Sequence, residues 1–328
     1  MSDKLELFKS SPIGLGCMNM SHAYNTAVSD DEAIHGFREA FEMGYRHFDT
    51  ATLYGGGKNE TLVGEALKSV RDDIFLASKC VLYVEPDKGK ALDGRPETIK
   101  AQCEESLRRL QTDHIDLYYL HRLDANVPIE ESAGALGDLI REGKIAYYGV
   151  SEMSAETIHR AHKEQPVAAV QTEYSLWTRN PEIAVLDVCK ALDITFVAFS
   201  PLARGFLSMT FDDPAELVES DIRRAMPRFY PENYPANKAL LKEYLEIAKQ
   251  QNCTPAQLAL AWIRAKDPAI VSIPGTRFVE HMRDNLAAAD IQLCADVAAR
   301  LDQLINNDTV TGPRYSAGQQ VEIDTEQF

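Results

Sequence analysis

No apolar run in the sequence approaches the ~20 residues that cross a bilayer, so a membrane-spanning helix is not expected. The opening residues, MSDKLELFKS, lack the basic start and apolar core of a secretory leader, which makes a cytoplasmic location the expectation. Six cysteines (Cys17, Cys80, Cys103, Cys189, Cys253, Cys294) lie scattered with no Cys-x-x-Cys pair. That spacing suggests neither a zinc site nor a disulfide framework, and reduced thiols are the default. Positive charge is scarce: 34 Lys and Arg face 50 Asp and Glu, for a net charge of −16. Neither nucleic acid nor an anionic membrane is therefore an expected partner. No Gly-x-Gly-x-x-Gly turn follows the first apolar strand, as a doubly wound dinucleotide-binding sheet would require.

What is present is a long, regular alternation. The chain has 328 residues, 45% of them hydrophobic, enough to bury a large single core. Strand-like runs begin near Ile13, Arg46, Ile74, Ile115, Ile145, Ala168, Ile194 and Ile270. Helical patterns fall between them near 30–43, 60–69, 97–110, 129–141, 155–163, 182–191 and 255–265. Ser29, Pro96 and Pro128 mark helix starts, and Gly44 and Gly143 mark stops. Eight such units predict an α/β fold of one domain, residues 1–328: a (β/α)8 TIM barrel with active groups at the C-terminal ends of its strands. Two additions are expected. One is a long insertion after strand seven, Leu207 to Tyr234, the kind of segment that serves as a lid. The other is a pair of C-terminal helices near 279–288 and 295–305 with a polar tail.

Chemistry gathers at the strand ends. The stretch YRHFDTATLYGGGKNETLVGEAL (Tyr45 to Leu67) puts Asp49 at a strand terminus and Tyr54 on the loop behind it. Three glycines follow, and Asn59 is placed to cap the next helix. Two later strands end in ionisable residues, IFLASK at Lys79 and IDLYYLH at His121. Each residue alone has an ordinary structural role, and the Tyr45 to Leu67 stretch by itself reads equally as an active-site loop or as a β-turn-α connection with incidental polar residues. A free tyrosine is a weak acid with a pKa near 10. A neighbouring ammonium favours its phenolate, and a buried lysine needs a carboxylate.

GYRHFDTATLYG with NETLVGEAL, ASK, IDLYYLH, YYGVSE, VQTEYSLW, AFSPLARG and SIPGTR with DNL occur in this order from Ile13 to about Asn285. In these words and their order the chain resembles the aldo-keto reductase superfamily, in its bacterial and fungal branch with pyridoxal reductase-like members. The resemblance implies an NADPH-dependent oxidoreductase that reduces aldehydes or ketones to alcohols, of the alcohol dehydrogenase or aldehyde reductase type, with a small carbonyl compound as substrate and no metal. It implies Tyr54 as general acid, Lys79 and Asp49 as the groups that tune it, and His121 as the residue orienting the substrate.

It further implies a cofactor lying across the strand ends. Ser151 and Gln171 match residues bonding the carboxamide, and Glu152 puts a carboxylate where an amide is familiar. Phe199 matches the ring that stacks on the nicotinamide, and Ser200, Leu202, Arg204 and Gly205 match the loop along the pyrophosphate. Gly275, Thr276, Arg277, His281, Asp284 and Asn285 match the adenosine end. The lysine and arginine of better-known members are absent at Gly275 and His281, leaving Arg277 to take a 2′-phosphate. Asp284 stands where it can accept from the adenine amino group.

Met18, His22, Tyr24, Tyr83, Trp177 and Phe206 are candidates to line an apolar mouth, with core packing the equal alternative. Two other functions compete. A cofactor-sensing regulatory subunit like the potassium-channel β subunits would keep the barrel without steady turnover. A barrel aldolase or isomerase would use Lys79 as a Schiff base.

Overall fold

The computed structural model describes residues 2–21, 23–24, 28–85, 87 and 89–328. Ten strands follow in chain order: β1 (Leu15–Gly16), β2 (His47–Asp49), β3 (Phe75–Cys80), β4 (Leu82–Glu85), β5 (Gly89–Leu92), β6 (Ile115–Leu120), β7 (Ile145–Ser151), β8 (Ala169–Glu173), β9 (Thr195–Phe199) and β10 (Val271–Ile273). The helices are α1 (Ser2–Lys9), α2 (Asp30–Met43), α3 (Lys58–Leu67), α4 (Pro96–Leu110), α5 (Ile129–Arg141), α6 (Ala155–Glu164), α7 (Val185–Ala191), α8 (Tyr234–Gln250), α9 (Pro255–Lys266), α10 (Val279–Ala287), α11 (Ala295–Leu304) and α12 (Ala317–Gln320).

Eight strands, in the order β1-β2-β3-β6-β7-β8-β9-β10, run parallel. Bridges Ile13 to Ser272 and Gly16 to Gly275 bring the two edges together. The chain is a single-domain (β/α)8 barrel. Its helices start as the sequence chemistry requires. Ser29 and Glu32 form a reciprocal capping box on α2, and Thr254 and Gln257 form one on α9. Gly44 closes α2 in the left-handed conformation at φ 112°.

The bottom of the barrel is closed by α1, not by a hairpin. Phe8 from that helix stacks on Phe75 at 4.5 Å and meets His47 edge-on at 4.9 Å, inside the barrel. Burying each such ring contributes about 1.5–3 kcal/mol.

The expected cap of α3 is corrected. Asn59 does not cap α3: Gly57, at φ 91°, is the cap, and Asn59 is buried in the first turn. A two-stranded hairpin, β4 with β5, stands on the loop after β3. The insertion after β9 is built from short 3-10 turns at 214–216, 222–225 and 227–229, two of them capped by Asp213 and Asp221. It leads into α8, a 17-residue helix the sequence reading passed over. No described helix is long and apolar enough to cross a membrane.

Candidate active site

Parallel register sets the first groups side by side. β2 pairs with β3 so that Asp49 faces Ala77, which puts Lys79 just beyond the end of β2. The Lys79 ammonium is fully buried and donates to an Asp49 oxygen, to the Thr50 carbonyl at 2.9 Å and to the Tyr54 hydroxyl at 3.3 Å. The other Asp49 oxygen accepts from Gln171 Nε2 at 2.7 Å. His121, from the end of β6, sets its ring edge-on to Tyr54 with centroids 5.9 Å apart. Thus the structure brings Asp49, Tyr54, Lys79 and His121 together at the C-terminal mouth of the barrel.

The loop carrying Tyr54 is held from below. Gly55 and Gly56, at φ 60° and 63°, turn the backbone sharply behind it, a conformation that costs glycine little. Asn59 accepts from Thr50 at 2.6 Å and donates to the Cys17 carbonyl and the Ser21 hydroxyl. Glu60, fully buried, accepts from Ser78 at 2.5 Å and from Arg109 at 2.6 Å.

The electrostatics correct one expectation. Burial raises the Tyr54 pKa, and the Lys79 ammonium pulls it back only in part, so the phenol ends above its ordinary value. The proton therefore stays on Tyr54 at neutral pH. Burial also disfavours the Lys79 ammonium, but Asp49 and Tyr54 outweigh it and hold the lysine above its usual range. A charged, enclosed amine held by three acceptors is no Schiff-base nucleophile, which removes the aldolase reading.

A cleft of about 750 Å³ opens over these groups. Asp49, Tyr54 and His121 line it at the barrel mouth. Ser151, Gln171, Phe199, Ser200, Leu202, Arg204, Gly205, Gly275, Thr276, Arg277, His281, Asp284 and Asn285 line it as well. Lys79 lies behind its wall. At the far end, Thr254 and Phe278, which precede α9 and α10, also line the cleft, so two helix N-termini open onto it. Asp284 is already engaged there, accepting from Thr254 Oγ1 at 2.7 Å. A side chain at Gly275 would put Cβ within 2.4 Å of Asn19 Oδ1, so glycine is needed for the close approach.

Glu152 does not line the cleft. Its carboxylate is wholly buried and accepts from both Arg314 nitrogens, from Thr325 at 3.1 Å and from the Glu173 amide at 2.9 Å. Glu173 in turn accepts from Arg204 at 2.5 Å, Arg314 at 3.1 Å and Tyr315 at 3.2 Å. Burial pushes both carboxyls up, yet the guanidiniums outweigh it and leave them below the usual carboxylate range. Arg204 and Arg314 each lie 6.0 Å from the Phe199 ring centroid.

The apolar mouth also differs. Met18 and Tyr24 line the cleft; Tyr83, Trp177 and Phe206 do not. Trp177 stacks on Phe206 at 4.1 Å, both buried in the core. His22 lies outside the described residues. Residues not foreseen include Arg122, Asn19 and Leu53, Arg223 of the insertion, and Tyr315 and Gln319 of the tail. Arg122 had a signal, since it directly follows His121. The tail residues had none.

The sequence profile described as "Aldo/keto reductase family" matches residues 12–306. A curated protein of Glycine max, "Probable aldo-keto reductase 1", is 39% identical over 312 residues, covering 95% of this chain and 90% of its own. Among solved structures, a glycerol dehydrogenase from Gluconobacter oxydans superposes with a TM-score of 0.83 at 26% identity, covering 93% of this chain and 95% of that one. An aldo/keto reductase from Klebsiella pneumoniae, solved with NADP and acetate, gives a TM-score of 0.71 at 27% identity, covering 93% and 94%. With the Asp49, Tyr54, Lys79 and His121 cluster at the mouth of its barrel, the chain belongs to the aldo/keto reductase family.

Proposed function

We propose that this protein is an NADPH-dependent reductase of aldehydes or ketones, of the alcohol dehydrogenase or aldehyde reductase type, with Tyr54 as the general acid. The observation that carries the reading is the Tyr54 hydroxyl, facing the cleft and 3.3 Å from an ammonium that is buried against Asp49. A phenol that keeps its proton at neutral pH beside a fixed positive charge suits late donation. The proton moves to the carbonyl oxygen as negative charge develops there, and Lys79 stabilises the phenolate left behind. His121, at the edge of Tyr54, orients the carbonyl by hydrogen bonding.

The cleft residues fit an extended dinucleotide. Phe199 offers a ring face to a nicotinamide, with Ser151 and Gln171 beside it for the carboxamide. Ser200, Leu202, Arg204 and Gly205 would follow the diphosphate. The α9 and α10 N-termini, with Gly275, Thr276, Arg277, His281 and Asn285, make an electropositive end suited to phosphate and adenosine. When bound, NADPH would supply a hydride to the carbonyl carbon. The Klebsiella pneumoniae structures, solved with NADP and with NADPH, support this choice of cofactor. Glu152 is assigned to the wall beneath the ring, not to cofactor contact.

The test is NADPH oxidation across a panel of aldehydes and ketones, with cofactor binding followed in parallel by fluorescence. Steady turnover is expected. Tight NADPH binding without turnover of any carbonyl would overturn the reductase reading and favour a cofactor sensor.

A further inference from the structure

Among the guanidiniums that line the cleft, two are neutralised within the protein: Arg204 by Glu173 and Arg223 by Asp221. Arg122 is not. It stands directly after β6, half-buried, beside His121 and close enough to Tyr54 to act on its charge. Its Nη1 donates to the His121 carbonyl at 2.6 Å and approaches the Ser151 hydroxyl at 3.4 Å, both uncharged acceptors. Its Nε is buried with no hydrogen-bond partner.

The carboxylates beside the catalytic cluster are engaged by other groups. Asp49 is held by Lys79 and Gln171, Glu152 by Arg314 and Thr325, Glu173 by Arg204, Arg314 and Tyr315. Of the guanidiniums around the ends of β6, β7 and β8, Arg204 and Arg314 pair with Glu173 and Glu152, whereas Arg122 makes no ion pair among the described residues. A buried donor left unsatisfied is costly, and a planar guanidinium with a spare edge suits a carboxylate best.

We infer that Arg122 is a specificity-determining residue that takes a carboxylate on the substrate, so that the preferred substrate is an oxo acid: an aldehyde or ketone with a carboxylate near its reacting carbon. The inference rests on the reductase reading above and adds a substrate class to it. The carboxylate occupies the Nε side of the guanidinium while the carbonyl oxygen faces Tyr54 and His121. The cavity end that holds the reacting carbon thus selects for negative charge.

The experiment compares formylbenzoate and glyoxylate, each with its methyl ester, in the wild type, Arg122→Gln and Arg122→Lys. A charge-assisted contact predicts a preference for the acids of roughly tenfold to a hundredfold in kcat/KM. That ratio should collapse in Arg122→Gln and partly return in Arg122→Lys, and it should shrink as salt is raised. Calorimetric titration with benzoate, which cannot be reduced, gives a readout free of turnover: binding should weaken at least tenfold in Arg122→Gln. Equal kcat/KM for acids and esters in the wild type, or unchanged benzoate binding in Arg122→Gln, would overturn the inference. So would a parallel loss of NADPH affinity and of turnover on acids and esters alike, which would move Arg122 to the cofactor. Failure of the esters and acids together, with benzoate binding still dependent on Arg122, would strike the reductase reading and leave the carboxylate site standing.

Discussion

A phenol that is to give up a proton must first hold it, and Tyr54 holds it more firmly than the sequence reading expected. The sequence shows a lysine at the end of the next strand but carries no measure of burial, which depends on how the loop packs. Activity limited by the acid form of Tyr54 should fall as pH rises through its pKa. Removing the ammonium raises that pKa further, so in Lys79→Met the alkaline limb of any residual rate should move to higher pH. A limb that stays in place would show that Lys79 does not act on the phenol. At the other end of the cleft, Arg277→Ala should weaken NADPH roughly tenfold to a hundredfold more than NADH if its guanidinium meets the 2′-phosphate. Titration with both cofactors reads that ratio, and equal losses would refute the assignment. Arg204→Ala is not a clean control for that test, because Arg204 is bonded to a buried Glu173.

The tail and the insertion are the elements the sequence showed least. Arg314 and Tyr315 look like solvated residues of a polar tail, and their partners Glu152 and Glu173 lie more than 140 residues earlier. No local pattern carries such a contact. The helix α8 was legible: Leu241, Tyr244, Ile247 and Ala248 are buried at helical spacing, hidden behind the proline-rich stretch before them. Arg314 ties the tail to β7 and β8, so Arg314→Ala should cost about 3–5 kcal/mol by leaving Glu152 buried without its counter-charge. Thermal unfolding measures this, and pairing the change with Glu152→Gln should recover much of it. The sign with pH is also set. Carboxyls held below their unfolded pKa, near 4.3 for glutamate, stabilise the fold above that value. The contribution fades as pH falls below it toward the folded values, so the difference between wild type and Arg314→Ala should shrink in acid. A melting temperature unmoved at neutral pH would mean the tail is not fastened through Arg314.

At the scale of the molecule, the barrel was readable because eight strand–helix units repeat and because each side chain proposed to be catalytic stands at, or just after, a strand's C-terminal end. Asp49, Lys79 and His121 are far apart in sequence, yet parallel pairing of β2, β3 and β6 must bring such ends to one mouth. The closing helix α1 was not readable: eight residues of mixed polarity give no strong period, and Phe8 with Leu5 shows the inward face once the barrel is built. Family membership rests on the profile match and the relative's identity over nearly the whole chain, whereas the proposed chemistry rests on one hydroxyl. Tyr54→Phe tests it most directly, because the change leaves the ring against His121 and removes only the hydroxyl. The account predicts NADPH binding close to wild type and carbonyl turnover reduced by a factor of at least about a hundred, the lower range for general acid catalysis. Retention of more than roughly a tenth of wild-type turnover in Tyr54→Phe would contradict it.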